Sequence, residues 1–281
     1  MDDAEQLVDT RSRSAVARSV APGGLGAPER LPILLLPGTL CDDRVFAPLL
    51  ARLPARAATV PTVSGAHQAS KFAAAVIATA PPRFALLGFS LGGIIALEIA
   101  ATVPQRVAGL ALIGSNARPM DEAASVHRRE SARAATKRGF GAFVRDALWA
   151  SYVGPRAAGD AALEALIVDM AEKTSPAAFE AQLEIALTRA DGRTRLGALT
   201  MPSLVLAGEK DAICPPSMQR EMADALSDAK LALIPGAGHF VLLEAPGPGA
   251  IEVAAWLDRI DREARPMFKA VPSVTFSKEL P

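Results

Sequence analysis

One stretch of this 281-residue chain has a spacing with chemical meaning: Gly88-Phe-Ser-Leu-Gly92. It follows an apolar run at 84–87 and opens a helical pattern, which is the context of a G-x-S-x-G strand-to-helix turn. Such a turn holds its serine in strained backbone geometry and leaves the hydroxyl exposed at the tip. Gly88 and Gly92 lack Cβ atoms, so strand and helix can approach closely. The Leu91 amide, at the helix N-terminus, points where a negative oxygen would form. The chemistry that this suits is attack by Ser90 on a carbonyl carbon.

A serine hydroxyl is a weak nucleophile and needs a base, which in turn needs an orienting acid. The chain has three histidines, His67, His127 and His239. His239 lies in Gly236-Ala-Gly-His-Phe240, just past the last strand-like run, on a loop suited to a catalytic imidazole. His67 precedes a helix and His127 opens a basic segment, so both read as surface residues. The acid is read as Asp211, in Gly208-Glu-Lys-Asp-Ala-Ile-Cys-Pro215. Glu209 is its rival, but it sits nearer the strand and is followed by Lys210. Ser, Asp and His then occur in that chain order. A second oxyanion donor is expected in Leu36-Pro-Gly-Thr-Leu-Cys41, after the first strand. Pro37 lacks an N–H and Gly38 turns the chain, which leaves the Thr39 and Leu40 amides as candidates beside Leu91.

The elements that must position these residues alternate. Short unbroken apolar runs at 31–37, 58–63, 84–89, 107–113, 203–207 and 230–234 read as strands buried on both faces of a parallel sheet. Helical patterns at 69–79, 92–103, 216–226 and 248–260 separate them. Strand alternating with helix predicts a sheet covered on both sides through right-handed crossovers. Residues 116–200 contain only helical patterns, including a start at Ser175-Pro176 with Ser as N-cap and Pro at the first position. An insertion there lies at the C-terminal edge of the sheet, where α/β ligand sites occur. Residues 1–30, mixed in charge and rich in Ser and Arg, read as a poorly ordered arm with at most a short strand near 15–20; residues 263–281 read as a tail.

These residues resemble the α/β-hydrolase superfamily, in its single-domain esterase-like branch with a helical cap. The resemblance covers roughly residues 31–262. It implies an α/β-hydrolase fold: a mostly parallel sheet with helices on both faces, a core formed by 31–115 and 201–262, and a cap formed by 116–200. Ser90, Asp211 and His239 match the family's nucleophile, acid and base. Thr39 follows Pro37-Gly38 where many members have His-Gly, and would pair with Leu91 in the oxyanion hole. The antiparallel N-terminal strands common in the fold are not evident, so fewer strands than usual are expected. The implied activity is hydrolysis of a carboxylic ester, thioester or lactone through an acyl-enzyme, with no metal or organic cofactor. The alternatives are a lyase or C–C bond hydrolase on the same triad, or a non-catalytic binding protein on this fold. Serine at the elbow sets aside the relatives that use Asp there, the haloalkane dehalogenases and epoxide hydrolases. The lack of His-Gly-Gly-Pro-Gly weakens a proline-iminopeptidase reading.

Composition narrows the setting. Lys and Arg total 30 and Asp and Glu total 30, so the formal charge of zero argues against nucleic acid or an anionic membrane as partner. No run reaches the ~18–20 apolar residues of a membrane span, and the acidic start lacks an apolar signal core. A cytoplasmic location is the default expectation. Cys41 and Cys214 form neither a disulfide framework nor a zinc pattern, and Cys41 reads as a small buried residue. The segment 127–138 carries Arg128, Arg129, Arg133, Lys137 and Arg138 against Glu130. It is either a solvated helix face or a docking surface for an acidic partner such as an acyl-carrier protein, through Arg128, Arg129 and Arg133. A biotin-pathway methylesterase of the superfamily meets its carrier in a similar way. Phe140, Phe143, Val144, Leu148 and Tyr152 form a helical stripe that suits cap-to-core packing, an acyl pocket or both.

Overall fold

The apolar runs become strands because each can bury side chains on two faces at once. In the computed structural model, which describes residues 30–264, they are β1 Ile33–Leu36, β2 Ala58–Thr59, β3 Phe84–Phe89, β4 Val107–Ile113, β5 Ser203–Gly208 and β6 Ala229–Ile234. Successive side chains serve opposite layers. Leu35, Leu87, Ile113 and Leu206 pack with the terminal helix Pro246–Ala264 through Val253, Trp256 and Ile260. Leu34, Leu36, Leu86 and Leu112 pack with the helices Ala69–Thr79 and Leu91–Thr102 on the other side. The strand at 58–63 is shorter than expected, two exposed residues at the sheet edge. The poorly ordered arm, its strand near 15–20 and nearly all of the tail lie outside the described residues; the terminal helix extends through Ala264.

The sheet order is β2-β1-β3-β4-β5-β6 and every pairing is parallel. The chain runs outward from β1 to β2, then returns across β1 to build the rest from β3. The topological switch point therefore falls between β1 and β3, where open α/β sheets form their ligand crevice. The register pairs Leu36 with Gly88, so the loop after β1 and the turn after β3 emerge side by side. This brings Thr39 to Ser90.

Between β4 and β5 the chain is helical, as its patterns predict. The helices are Glu122–Arg138, Ala161–Lys173 and Pro176–Leu187, with a helical run over 140–152 that widens into a π turn at Val144–Leu148. Asp121 and Ser175 cap two of them, accepting from the Ala124 and Ala178 amides at 2.8 and 3.2 Å. On the core, a buried ion pair joins Arg56 Nη2 to Asp261 Oδ2 at 3.1 Å, and Asp261 Oδ1 accepts the Leu31 amide at 3.1 Å. This clamps the entry to β1 against the terminal helix.

Candidate active site

The turn after β3 is as tight as its glycines require. A Cβ at Gly88 would overlap the Gly92 carbonyl, and one at Gly92 the Leu36 carbonyl. Ser90 itself has φ 52° and ψ −114°, a backbone state that non-glycine residues avoid. Hydrogen bonds hold it there. The Ser90 amide donates to Ile113 O at 2.8 Å, and its carbonyl accepts from Gly93 N–H at 2.9 Å and the Ser115 hydroxyl at 2.8 Å.

The Ser90 hydroxyl lies 3.0 Å from His239 Nε2, and His239 Nδ1 lies 2.9 Å from Asp211 Oδ2. His239 and Asp211 are buried. The other Asp211 oxygen accepts the Ile213 and Cys214 amides, each at 2.8 Å, which fixes the carboxylate. The His239 amide donates to Tyr152 O at 2.9 Å, and the Phe89 ring packs 5.2 Å from the imidazole. Each of the three residues leaves the C-terminal end of a strand: β3, β5 and β6. Glu209 lies away from this line, exposed beside Lys210 at 3.8 Å. His67 is exposed, as expected. His127 is exposed and is also among the residues that line the cavity over Ser90, a role that the reading of it as a plain surface residue lacks.

Among the described residues, neither the Thr39 nor the Leu91 amide has an acceptor within the protein. Leu40 differs from the expectation. Its amide donates to Gln182 Oε1 at 3.0 Å, so that donor is occupied. Leu40 sits at φ 57°, in the left-handed region. Gln182, buried on the helix Pro176–Leu187, also donates from Nε2 to Val63 O at 3.2 Å. It thus ties the insertion to the loop after β1. A lone amide on an otherwise apolar helix face was its only mark in the sequence.

Glu244 is a second residue that sequence reasoning missed. Its Oε2 accepts the Gly154 amide at 2.7 Å and the Gly238 amide at 2.8 Å, joining the end of the 140–152 run to the His239 loop. Burial pushes its carboxyl up, against the pull of these backbone donors. A single charge within the apolar run Phe240–Ala245 was the available signal. Both cysteines are buried, and burial pushes both thiols up, Cys214 to about 12. They stay protonated and unreactive.

A cavity of about 370 Å³ opens over Ser90 and His239. The stripe read from the sequence divides here: Phe143, Leu148 and Tyr152 line the cavity, while Phe140 and Val144 are buried in the core. The three arginines divide as well. Arg129 pairs with Glu184, Arg128 and Arg133 are both exposed, and Arg128 also lines the cavity.

The family model of the alpha/beta hydrolase fold matches residues 67–246. The chain belongs to the α/β-hydrolase family. This α/β hydrolase is 34% identical over 172 residues to a candidate carbamate hydrolase, RutD, of Variovorax paradoxus, covering 58% of this chain and 61% of that one. It is 31% identical over 226 residues to a pimeloyl-[acyl-carrier protein] methyl ester esterase of Neisseria meningitidis, covering 74% and 86%. Among solved structures, a thermophilic esterase from Thermogutta terrifontis aligns with TM-score 0.76 and 25% identity, over 84% of this chain and 92% of the other. The α/β hydrolase therefore spans only 61% of the length of its RutD relative, but most of the two esterases. Among the described residues no helix is long and apolar enough to cross a membrane.

Proposed function

We propose that this hydrolase cleaves a carboxylic ester, thioester or lactone through an acyl-enzyme on Ser90. The observation that carries the reading is the continuous line from Ser90 Oγ to His239 Nε2 at 3.0 Å and from His239 Nδ1 to Asp211 Oδ2 at 2.9 Å. Ser90 Oγ bonds to the substrate carbonyl carbon as its proton passes to His239 Nε2. The oxyanion takes hydrogen bonds from the Thr39 and Leu91 amides. The C–O or C–S bond then breaks, and the leaving alkoxide or thiolate takes the proton from His239. Water, giving its proton to the same nitrogen, attacks the acyl carbon and frees the acid and Ser90. Asp211 holds the imidazole in the tautomer that this sequence needs.

Residues 116–200 act as the cap that selects the substrate, since helices of this segment form much of the cavity wall. The esterase relative of carrier-bound pimeloyl esters supports including carrier-linked acids in the substrate class. On that reading Arg128 and Arg133, both exposed, are the members of the basic trio left to meet a carrier, since Arg129 pairs with Glu184. The test is labelling with a fluorophosphonate probe, followed by a p-nitrophenyl ester panel of varied acyl length. Wild type should label and turn over, and Ser90→Ala should do neither while remaining folded. Turnover by Ser90→Ala at near wild-type rate would defeat the assignment. Labelling without cleavage of any ester would favour C–C bond chemistry instead.

A further inference from the structure

The cavity over Ser90 has one wall unlike the rest. Phe143, Leu148, Phe179 and Leu183 make most of it apolar. The helix Glu122–Arg138 instead contributes His127, Arg128 and Ser131, one helical turn of donors. No Asp or Glu lines the cavity. Arg129 is paired with Glu184, Arg138 with Asp146 and Arg145 with Glu172, and Arg133 does not line the cavity. Among the described residues Arg128 has neither an ion pair nor a hydrogen bond from its guanidinium to a protein acceptor. Its charge reaches into the site: burial pushes the Tyr152 phenol up, and Arg128 pulls against that rise.

A guanidinium is a planar fork of donors that matches a carboxylate in two parallel hydrogen bonds. Set against an apolar wall, such a pair is stronger than it would be in open water. At about 370 Å³ the cavity lies at the small end of the ~300–1,000 Å³ range of small-molecule sites. That volume suits a short-chain acid better than the long arm of a carrier. We infer that Arg128, assisted by His127 and Ser131, forms an anion subsite for a free carboxylate on the substrate. The substrate is then a half-ester of a short dicarboxylic acid, or a lactone bearing a carboxylate, with its scissile carbonyl at Ser90. The place of that carbonyl rests on the hydrolase reading; the anion subsite does not.

The experiment therefore measures binding before turnover. Adipate monoamide and hexanamide, which differ by one free carboxylate, are titrated calorimetrically into wild type, Arg128→Met and Arg133→Met, with 4′-phosphopantetheine as a third probe. The guanidinium is open to solvent on one side, so its contribution lies near the low end for a charged hydrogen bond. Wild type should bind adipate monoamide about tenfold more tightly than hexanamide, a charged hydrogen bond's worth. Arg128→Met should erase that difference and leave hexanamide unchanged, while Arg133→Met, on the same helix but outside the cavity lining, should bind both amides as wild type does. Equal binding of the two amides by wild type would overturn the inference, whether or not Ser90 labels with a fluorophosphonate. So would an effect of Arg128→Met on 4′-phosphopantetheine alone, since the anion read would then be a carrier's phosphate. In turnover, monomethyl adipate should lose about tenfold in kcat/KM in Arg128→Met through KM, with methyl hexanoate unaffected.

Discussion

Gln182 offers a sharp test of how the cap and the chemistry are connected. Its amide group accepts from Leu40 N–H at 3.0 Å and donates to Val63 O at 3.2 Å, in a buried setting. Gln182→Leu keeps the volume roughly constant and removes both bonds. Two backbone groups are then left buried without partners, at about 1–3 kcal/mol each. Relaxation offsets part of this. Leu40 is held at φ 57°, and release of such a residue returns about 1–3 kcal/mol. The net loss of stability should be about 1–3 kcal/mol. The catalytic effect follows from the same relaxation. Thr39 is the residue before Leu40, so on the proposed mechanism a Leu40 that swings out of the left-handed region turns the Thr39 amide away from the oxyanion. Loss of one oxyanion donor costs about 10²–10³ in kcat. The assay is kcat and KM on a p-nitrophenyl ester, with denaturant unfolding in parallel. A folded Gln182→Leu variant with kcat within threefold of wild type, roughly 0.7 kcal/mol in barrier, would refute the link from Gln182 to the oxyanion loop.

On the proposed mechanism, in which Asp211 orients the base and His239 moves the proton, Asp211→Asn should lower kcat by about 10⁴, somewhat less than His239→Ala; steady-state rates on one ester decide it. Asp261→Ala should destabilise the fold by about 3–5 kcal/mol, since it strands the buried Arg56 charge and frees the Leu31 amide, as read by urea unfolding. Glu244 should make stability depend on pH. Its carboxyl is raised in the fold from 4.5, so the folded state binds the proton more tightly than the unfolded state does. Relative to Glu244→Gln, wild type should be at its best below pH ~4.5 and should lose stability as pH rises through the folded value. Denaturation curves at several pH values would show the two proteins diverging in that direction, and a wild type that gains on Glu244→Gln with rising pH would count against the assignment.

Local signals were enough to outline the sheet and the elbow. Runs such as Leu34-Leu35-Leu36 are buried on both faces, and that alone separates a central parallel strand from an amphipathic one. Gly88 and Gly92 flank Ser90 because strand and helix touch there, a constraint written in two adjacent turns of chain. His239 and Asp211 were legible because each follows a strand, and all strands of a parallel sheet end at one edge. The apolar run at 58–63 yields only the two-residue β2 because an edge strand pairs on one side only, and hydrophobicity does not report how far pairing runs.

What the sequence could not decide depends on contacts between distant segments. Leu40 was a reasonable donor until Gln182, 142 residues away in the chain, claimed its amide. Glu244 looked like an isolated charge until the fold brought Gly154 and Gly238 to its oxygen. The basic segment shows this most plainly. Five positive side chains in one helix have no intrinsic direction, and periodicity assigns faces only relative to one another. The helix axis was set by packing against Pro176–Leu187, and that rotation pairs Arg129 with Glu184, leaves Arg133 in solvent and carries Arg128 into the cavity beside Ser90.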